Sequence, residues 1–304
     1  MEKVIVICGP TASGKTSLGI EVAKLTNGEI ISCDSMQIYK DMDIGTAKPT
    51  KEEQIEAKHH LIDFVSPDKR YSVAEYKKDA EEAIEKILKE GKTPIIVGGT
   101  GLYLNSLIYG IDYPEIEIDL EYRRYLENRV KEEGLDKLYE EARKIDAKAL
   151  EKISSNDSKR ILRILEIYHQ TGKSKTELEE ESRKNGIKYD YKIFFLNMDR
   201  EILYERINKR VDIMIDNGLI DEVKNVLDKY SEFPTAMQGL GYKEVVEYLN
   251  GSINRDEMIE KIKQETRRYA KRQITWFKSY KNAIVLDARN KNNPSIIVEE
   301  LSEK

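Results

Sequence analysis

Two cysteines in 304 residues are too few for a disulfide framework or a four-ligand zinc site. Both of them, Cys8 and Cys33, fall in short apolar runs, so reduced core thiols in a cytoplasmic protein are expected. No apolar run approaches the roughly 20 residues that a membrane helix needs, and no membrane partner is expected. The first apolar run starts at residue 4, which leaves no length for a signal peptide ahead of it. Bulk positive charge is missing too. The formal net charge is −5 and the 35% of charged residues are mixed in sign, so any nucleic acid would have to be held by a local patch. There is no low-complexity tract and no obvious repeat. The length suits one large or two modest domains with a real core.

What is present is concentrated first in one stretch. Gly9, Pro10, Thr11, Ala12, Ser13, Gly14, Lys15 and Thr16 satisfy G-x-x-x-x-G-K-[ST] in full. A β-branched strand at 4–8 precedes them. Residues 17–25 read as a helix with Leu18, Val22 and Leu25 on one face. Strand, glycine-rich turn and helix form the context this P-loop motif requires. The glycines let several backbone N–H groups converge, and the helix N-terminus adds positive partial charge. Lys15 adds a full charge, and the Thr16 hydroxyl can ligate Mg²⁺. A di- or triphosphate ligand with Mg²⁺ as cofactor is expected.

The rest of the N-terminal part continues as βα units. The pattern predicts helix 15–26, strand 29–33, helix 72–90 with a capping box from Ser72 and Glu75, and strand 94–97. The character changes after Pro114. Residues 117–185 carry dense charge and no strand candidate. Strands return at 191–196 and 283–286, with mostly helical pattern between them. The fold class expected is α/β: a P-loop NTPase-like parallel sheet flanked by helices and interrupted by an all-helical insertion. The core would comprise 1–115 and 187–304, and the insertion 116–186. The tail 290–304 carries no usable signal.

A kinase, GTPase or ATPase usually places an acidic Mg²⁺ ligand at the end of a second buried strand. Strand 94–97 runs instead into Gly98, Gly99, Thr100 and Gly101. The first acidic candidate is Asp34, at the end of strand 29–33, where doubly wound folds bind their ligands. It could hold Mg²⁺ through water, act as a general base, or merely cap a turn. Lys48 could neutralise phosphate charge or be a solvated lysine. His59 and His60 read as structural or substrate-edge residues, since no further metal ligand lies close. Arg206 and Arg210 sit four apart on one helix face, either as an arginine lid or as a salt-bridged surface. Two basic stretches, Lys159–Arg163 and Arg267–Tyr280, could meet RNA through phosphate contact and stacking, or be charged faces over core aromatics.

Together these segments resemble the bacterial tRNA dimethylallyltransferases, or tRNA isopentenyltransferases. The resemblance rests on residues 9–16, 34–39, 43–49, 98–103, 156–160, 239–242 and 270–276, which follow one another in order over most of the chain. It implies that the P-loop binds the diphosphate of dimethylallyl diphosphate rather than ATP. It further implies transfer of the dimethylallyl group to N6 of the adenosine just 3′ of the anticodon, in tRNAs reading codons that begin with U. Lys15, Mg²⁺ on Thr16, and Arg210 would stabilise the leaving diphosphate. Asp34 would orient and deprotonate the exocyclic amine, with Thr100 against the same nucleotide or the phosphate end. The contacts to the tRNA anticodon stem-loop would come from Asp34, Ser35, Met36, Gln37, Thr100, Arg123, Lys159, Arg160, Arg163, Gln238, Gly241, Tyr242 and Lys243, with the insertion clamping the stem-loop. The target base would have to leave its stack to be reached. Residues for an added C-terminal zinc finger are lacking, as in the bacterial form, and no obligate protein partner is implied. Three other readings remain: a transferase prenylating free AMP, ADP or ATP, a P-loop nucleotide kinase, and an RNA-binding module with a vestigial P-loop.

Overall fold

The computed structural model describes residues 1–113 and 119–302. Two compact units emerge, one of Met1–Leu104 with Tyr189–Lys304 and one of Asn105–Lys188. The first is built on six strands, β1 (Lys3–Cys8), β2 (Gly28–Cys33), β3 (His59–His60), β4 (Thr93–Gly98), β5 (Asp190–Asn197) and β6 (Ile284–Asp287). They lie in the order β3-β2-β4-β1-β5-β6, and every pairing is parallel. Ile5 of β1 is paired with Ile95 of β4 on one side and Lys192 of β5 on the other. Residues 4–8 of this central strand are fully buried. Helices cover both faces of such a sheet, which is why its strands read as continuous apolar runs.

Four helices begin in this N-terminal part: α1 (Lys15–Thr26), α2 (Lys51–Glu56), α3 (Val73–Lys89) and α4 (Gly101–Ile108). Gly14 opens α1 with φ 92° and supplies no side-chain cap. A residue with a Cβ would be strained there, and the first N–H groups of α1 stay available to a ligand. The expected capping box of α3 is present, with Glu75 N donating to Ser72 Oγ at 3.1 Å and Ser72 N to Glu75 Oε2 at 2.7 Å. Tyr76, Ala80, Ile84 and Ile87, spaced by three or four, form its buried face.

The second unit is all helical among the described residues: α5 (Leu120–Glu133), α6 (Leu135–Ile145), α7 (Ala147–Leu150), α8 (Ser158–Thr171) and α9 (Lys175–Arg183). It closes on Leu126, Leu138, Leu150, Ile161 and Leu165. It begins at Asn105, ahead of the break read in the sequence, while Pro114 and the adjoining boundary lie outside the described residues.

The chain then returns through β5 to α10 (Arg200–Asp216), α11 (Leu219–Lys229), a 3₁₀ turn at Ala236–Gln238, α12 (Tyr242–Leu249), α13 (Arg255–Phe277) and, after β6, α14 (Asn293–Ser302). Val211, Leu219, Val223, Tyr242 and Met258 build a core that takes in Ile38, Tyr39 and Met42 from the loop after β2. Two elements differ from the sequence reading. The tail, which carried no usable sequence signal, forms α14, whose Ile297 is buried in the cluster that holds Leu18 and Val22 of α1. His59 and His60 form the edge strand β3, with Ile30 opposite His59. His60 Nε2 lies 2.6 Å from the buried Glu29, which also meets Lys58 and Lys92. Both cysteines are free and buried, as expected, and burial pushes the Cys8 thiol up to about 12.

Candidate active site

The C-terminal ends of β1, β2 and β4 open on a cavity of about 960 Å³. A parallel sheet collects ligands at this end because its loops and helix N-termini point there. Of the P-loop residues, Thr11, Ala12, Gly14, Lys15 and Thr16 line the cavity. Gly9, Pro10 and Ser13 do not. The Pro10 carbonyl accepts a 2.6 Å hydrogen bond from Lys15 Nζ, and the buried Ser13 Oγ has no partner among the described residues. Burial, helped by the Arg210 charge and opposed by Asp34, lowers the Lys15 ammonium to about 8.

Asp34 follows β2 and lines the same cavity. Its Oδ1 accepts from Met36 N at 2.9 Å and from Gln37 N at 3.4 Å. Burial still raises its carboxyl above the usual range, against the opposing pull of those N–H groups and of Lys15. A carboxylate held in this state takes up a proton more readily than a solvated one. Ser35, Met36 and Gln37 line the cavity beside it. Thr100 is set back: its Oγ1 accepts the Ser35 N–H at 3.0 Å and fixes that loop.

Of the two candidate arginines four apart on α10, Arg210 lines the cavity and Arg206 is exposed outside it. Burial lowers the Arg210 pKa from its ordinary value, with Arg206 adding to this and Glu53 opposing it. Gln238, Gly241 and Lys243 also line the wall. Tyr242 does not. It is fully buried, and its hydroxyl donates to Glu222 at 2.6 Å, so it belongs to the supporting core rather than to an RNA-contacting surface. Lys48 lines the cavity, but its ammonium is held by the Tyr39 carbonyl, Asp43 and Asp63. It staples its own loop and is not a solvated lysine.

The remaining basic candidates lie in the helical unit. Arg123 forms a bidentate pair with the buried Glu166, at 2.6 and 2.9 Å, and Arg163 approaches the same carboxylate at 3.3 Å. Lys159 and Arg160 are exposed at the start of α8, with Arg160 3.4 Å from Asp157. The C-terminal basic–aromatic stretch divides by helix face. Phe277 and Tyr280 are core, whereas Lys271, Arg272 and Lys278 are exposed.

The sequence reading missed the part played by α13. Thr266, Tyr269, Arg272 and Gln273 all line the cavity. Gln273 accepts from Thr11 N at 2.8 Å and donates to the Gly99 carbonyl at 2.9 Å, tying the P-loop to the loop after β4. A signal existed in the 270–276 motif, but composition alone did not say which of its residues turn inward.

No group of three or more His, Cys, Asp or Glu side chains among the described residues could cage a metal. Thr16 lines the cavity next to Lys15, and a hydroxyl at this position suits a Mg²⁺ taking most of its oxygens from a phosphate ligand and water. No helix among the described residues is long and apolar enough to cross a membrane.

Comparison with known proteins gives a consistent picture. The family model described as IPP transferase matches residues 37–280. A tRNA dimethylallyltransferase of Acetivibrio thermocellus is 50% identical over 302 residues, covering 99% of this chain and 96% of the relative. One from a Thermoanaerobacter species is 53% identical over 281 residues, covering 91% and 89%. Among solved structures, the full-length tRNA isopentenylpyrophosphate transferase of Bacillus halodurans superposes with TM-score 0.73 at 40% identity, covering 99% of this chain and 96% of that one. A eukaryotic dimethylallyltransferase acting on tRNA gives 0.82 at 32% identity, covering 99% and 78%.

Proposed function

The chain belongs to the IPP transferase family, that of the tRNA dimethylallyltransferases, and from that premise we infer that it is a prenyltransferase that moves a dimethylallyl group from its diphosphate onto tRNA. The acceptor atom is N6 of the adenosine just 3′ of the anticodon, in tRNAs reading codons that begin with U. One observation carries the chemistry: a single cavity holds Lys15, Thr16 and Arg210 together with a desolvated Asp34.

Three jobs follow. The C–O bond between the allyl carbon and the diphosphate breaks, and charge builds on the departing oxygen. The P-loop N–H groups, Lys15 and Arg210 stabilise that charge in a site where burial strengthens their fields. Mg²⁺, held by Thr16 and phosphate oxygens, would supply further neutralisation. The N6–C bond forms as the amine proton leaves. An adenine amine is a poor nucleophile because its lone pair is delocalised, and Asp34 accepts the proton. Thr100 acts through Ser35 by holding the loop that carries Asp34. The exposed Lys159 and Arg160, and the rim residues Gln238 and Lys243, are the cations and amide offered to tRNA phosphate and base.

The absence of a carboxylate after β4 weighs against phosphoryl transfer from ATP. Incubation of the protein, Mg²⁺ and labelled dimethylallyl diphosphate with unmodified tRNA or with AMP tests this reading. Label in tRNA alone is expected. Label in AMP alone, or in neither acceptor, would refute it.

A further inference from the structure

The loop between Asp43 and Thr50 forms one wall of the cavity, and something outside it must fix its shape. Three consecutive backbone N–H groups of this loop converge on one carboxylate. Asp43 N and Ile44 N donate to Glu222 Oε2 at 2.8 and 2.7 Å, and Gly45 N donates to Oε1 at 3.1 Å. The Tyr242 hydroxyl completes the set at 2.6 Å from Oε1. Successive N–H groups curled in this way make an anion-binding nest. Gly45 is needed for it, because a Cβ there would lie 2.5 Å from the Tyr242 ring. A second tie lies just before the loop, where Lys229 at the end of α11 and Tyr230 directly after it both donate to Asp41, at 2.8 and 2.6 Å.

From the nest the connection runs to Asp34. The Gln37 amide donates to the Thr46 and Ala47 carbonyls at 3.3 and 3.1 Å, and its oxygen accepts from Ser32 Oγ at 3.1 Å. The backbone N–H of Gln37 in turn donates to Asp34 Oδ1. Glu222 hydrogen-bonds to the 43–45 backbone and to Tyr242, and loop 43–47 carries that anchoring on to Gln37 and the Asp34 turn.

We propose that Glu222 of α11 is a positioning residue for the transfer reaction, and that its carboxylate fills the 43–45 nest and so sets the cavity wall and the turn that carries Asp34. The proposal rests on the transferase reading above. Glutamine at 222 keeps the size but brings an NH₂ group against N–H donors, so the nest is left unmatched.

The test is Glu222→Gln in the tRNA transfer assay, run with amide hydrogen exchange. The expected result is a kcat about 10- to 100-fold lower, as for a misplaced catalytic group, with KM for dimethylallyl diphosphate little changed because the P-loop is held elsewhere. Exchange at Asp43, Ile44 and Gly45 should speed up while β1 and β4 stay protected. A purely structural role would lower the folded fraction and leave kcat per folded molecule intact. That outcome, or unchanged exchange at 43–45, overturns the proposal. Tyr242→Phe removes only the fourth hydrogen bond and is the second variant, should the first not fold. It should lower kcat by a smaller factor, with faster exchange at Gly45, and no change in either overturns the proposal. A wild-type protein that labels no tRNA refutes the proposed function instead.

Discussion

Replacing Asp34 by asparagine should remove most of the activity and raise the stability. Asparagine keeps Oδ1, so the hydrogen bonds from Met36 N and Gln37 N survive and the turn is preserved. What disappears is the proton acceptor. A positioned general base contributes about 10²–10⁴-fold, so a loss near 10³ is expected, about 4 kcal/mol of barrier. Stability moves the other way. Burial raises the Asp34 pKa in the fold, even after Lys15 and the two N–H groups have pulled it down. Such a carboxyl binds its proton more tightly folded than unfolded. At pH above both values the folded state carries a charge it holds poorly, and a neutral side chain relieves that cost. Below the unfolded pKa the advantage vanishes. Single-turnover transfer of labelled dimethylallyl to unmodified tRNA, beside thermal melts at pH 7 and pH 4, reads both effects. A rate within about threefold of wild type, less than any general-base contribution, would remove Asp34 from the chemistry. A lower melting temperature at pH 7 would refute the desolvation argument independently.

The other expectations concern charge and packing. Lys15 titrates at about 8, so calorimetric affinity for inorganic diphosphate should weaken as pH rises through that value. Lys15→Met should flatten the curve beyond the ligand's own titration, and a parallel decline in both proteins would sink the idea. Glu29 is 4% exposed. Burial pushes its carboxyl up, but Lys92, His60 and Lys58 outweigh this and hold it at about 2. The ion cluster is therefore fully stabilising above the unfolded pKa of 4.5 and lost as pH falls toward 2. Glu29→Gln should lower urea stability at neutral pH by about 3 kcal/mol, and a loss under about 0.5 kcal/mol, the scale of an ordinary surface change, would count against it. Gly45→Ala should cost about 1–3 kcal/mol through overpacking on Tyr242, so an unaltered urea midpoint would show that the ring moves freely.

Much of the fold was legible because its signals are local. The strands at 4–8, 29–33, 94–97 and 191–196 are short β-branched or aromatic runs, and each is found within a residue at either end. Ser72 and Glu75 announce the start of α3 through a contact three residues apart. The strand β3 was not legible, because two histidines carry no strand pattern of their own and pair only because Ile30 and Ile31 lie beside them. Nor was α14, whose apolar face has meaning only against α1. Lys48 and Lys159 look alike as sequence. One is locked between Asp43 and Asp63, and the other is exposed at the head of α8.

The sequence by itself determined the parallel sheet, the phosphate loop and the acid after β2, since each depends on residues close together in the chain. Only the tertiary structure decided that Tyr242 is core, that Arg210 rather than Arg206 enters the cavity, and that Gln273 bridges the P-loop to Gly99. Those facts depend on which helix face meets the sheet, and partners such as Gln273 and Thr11, or Glu222 and Asp43, are far apart in the chain. Their hydrogen bonds form only once packing has brought distant backbone N–H and carbonyl groups out of water and within reach of a side chain.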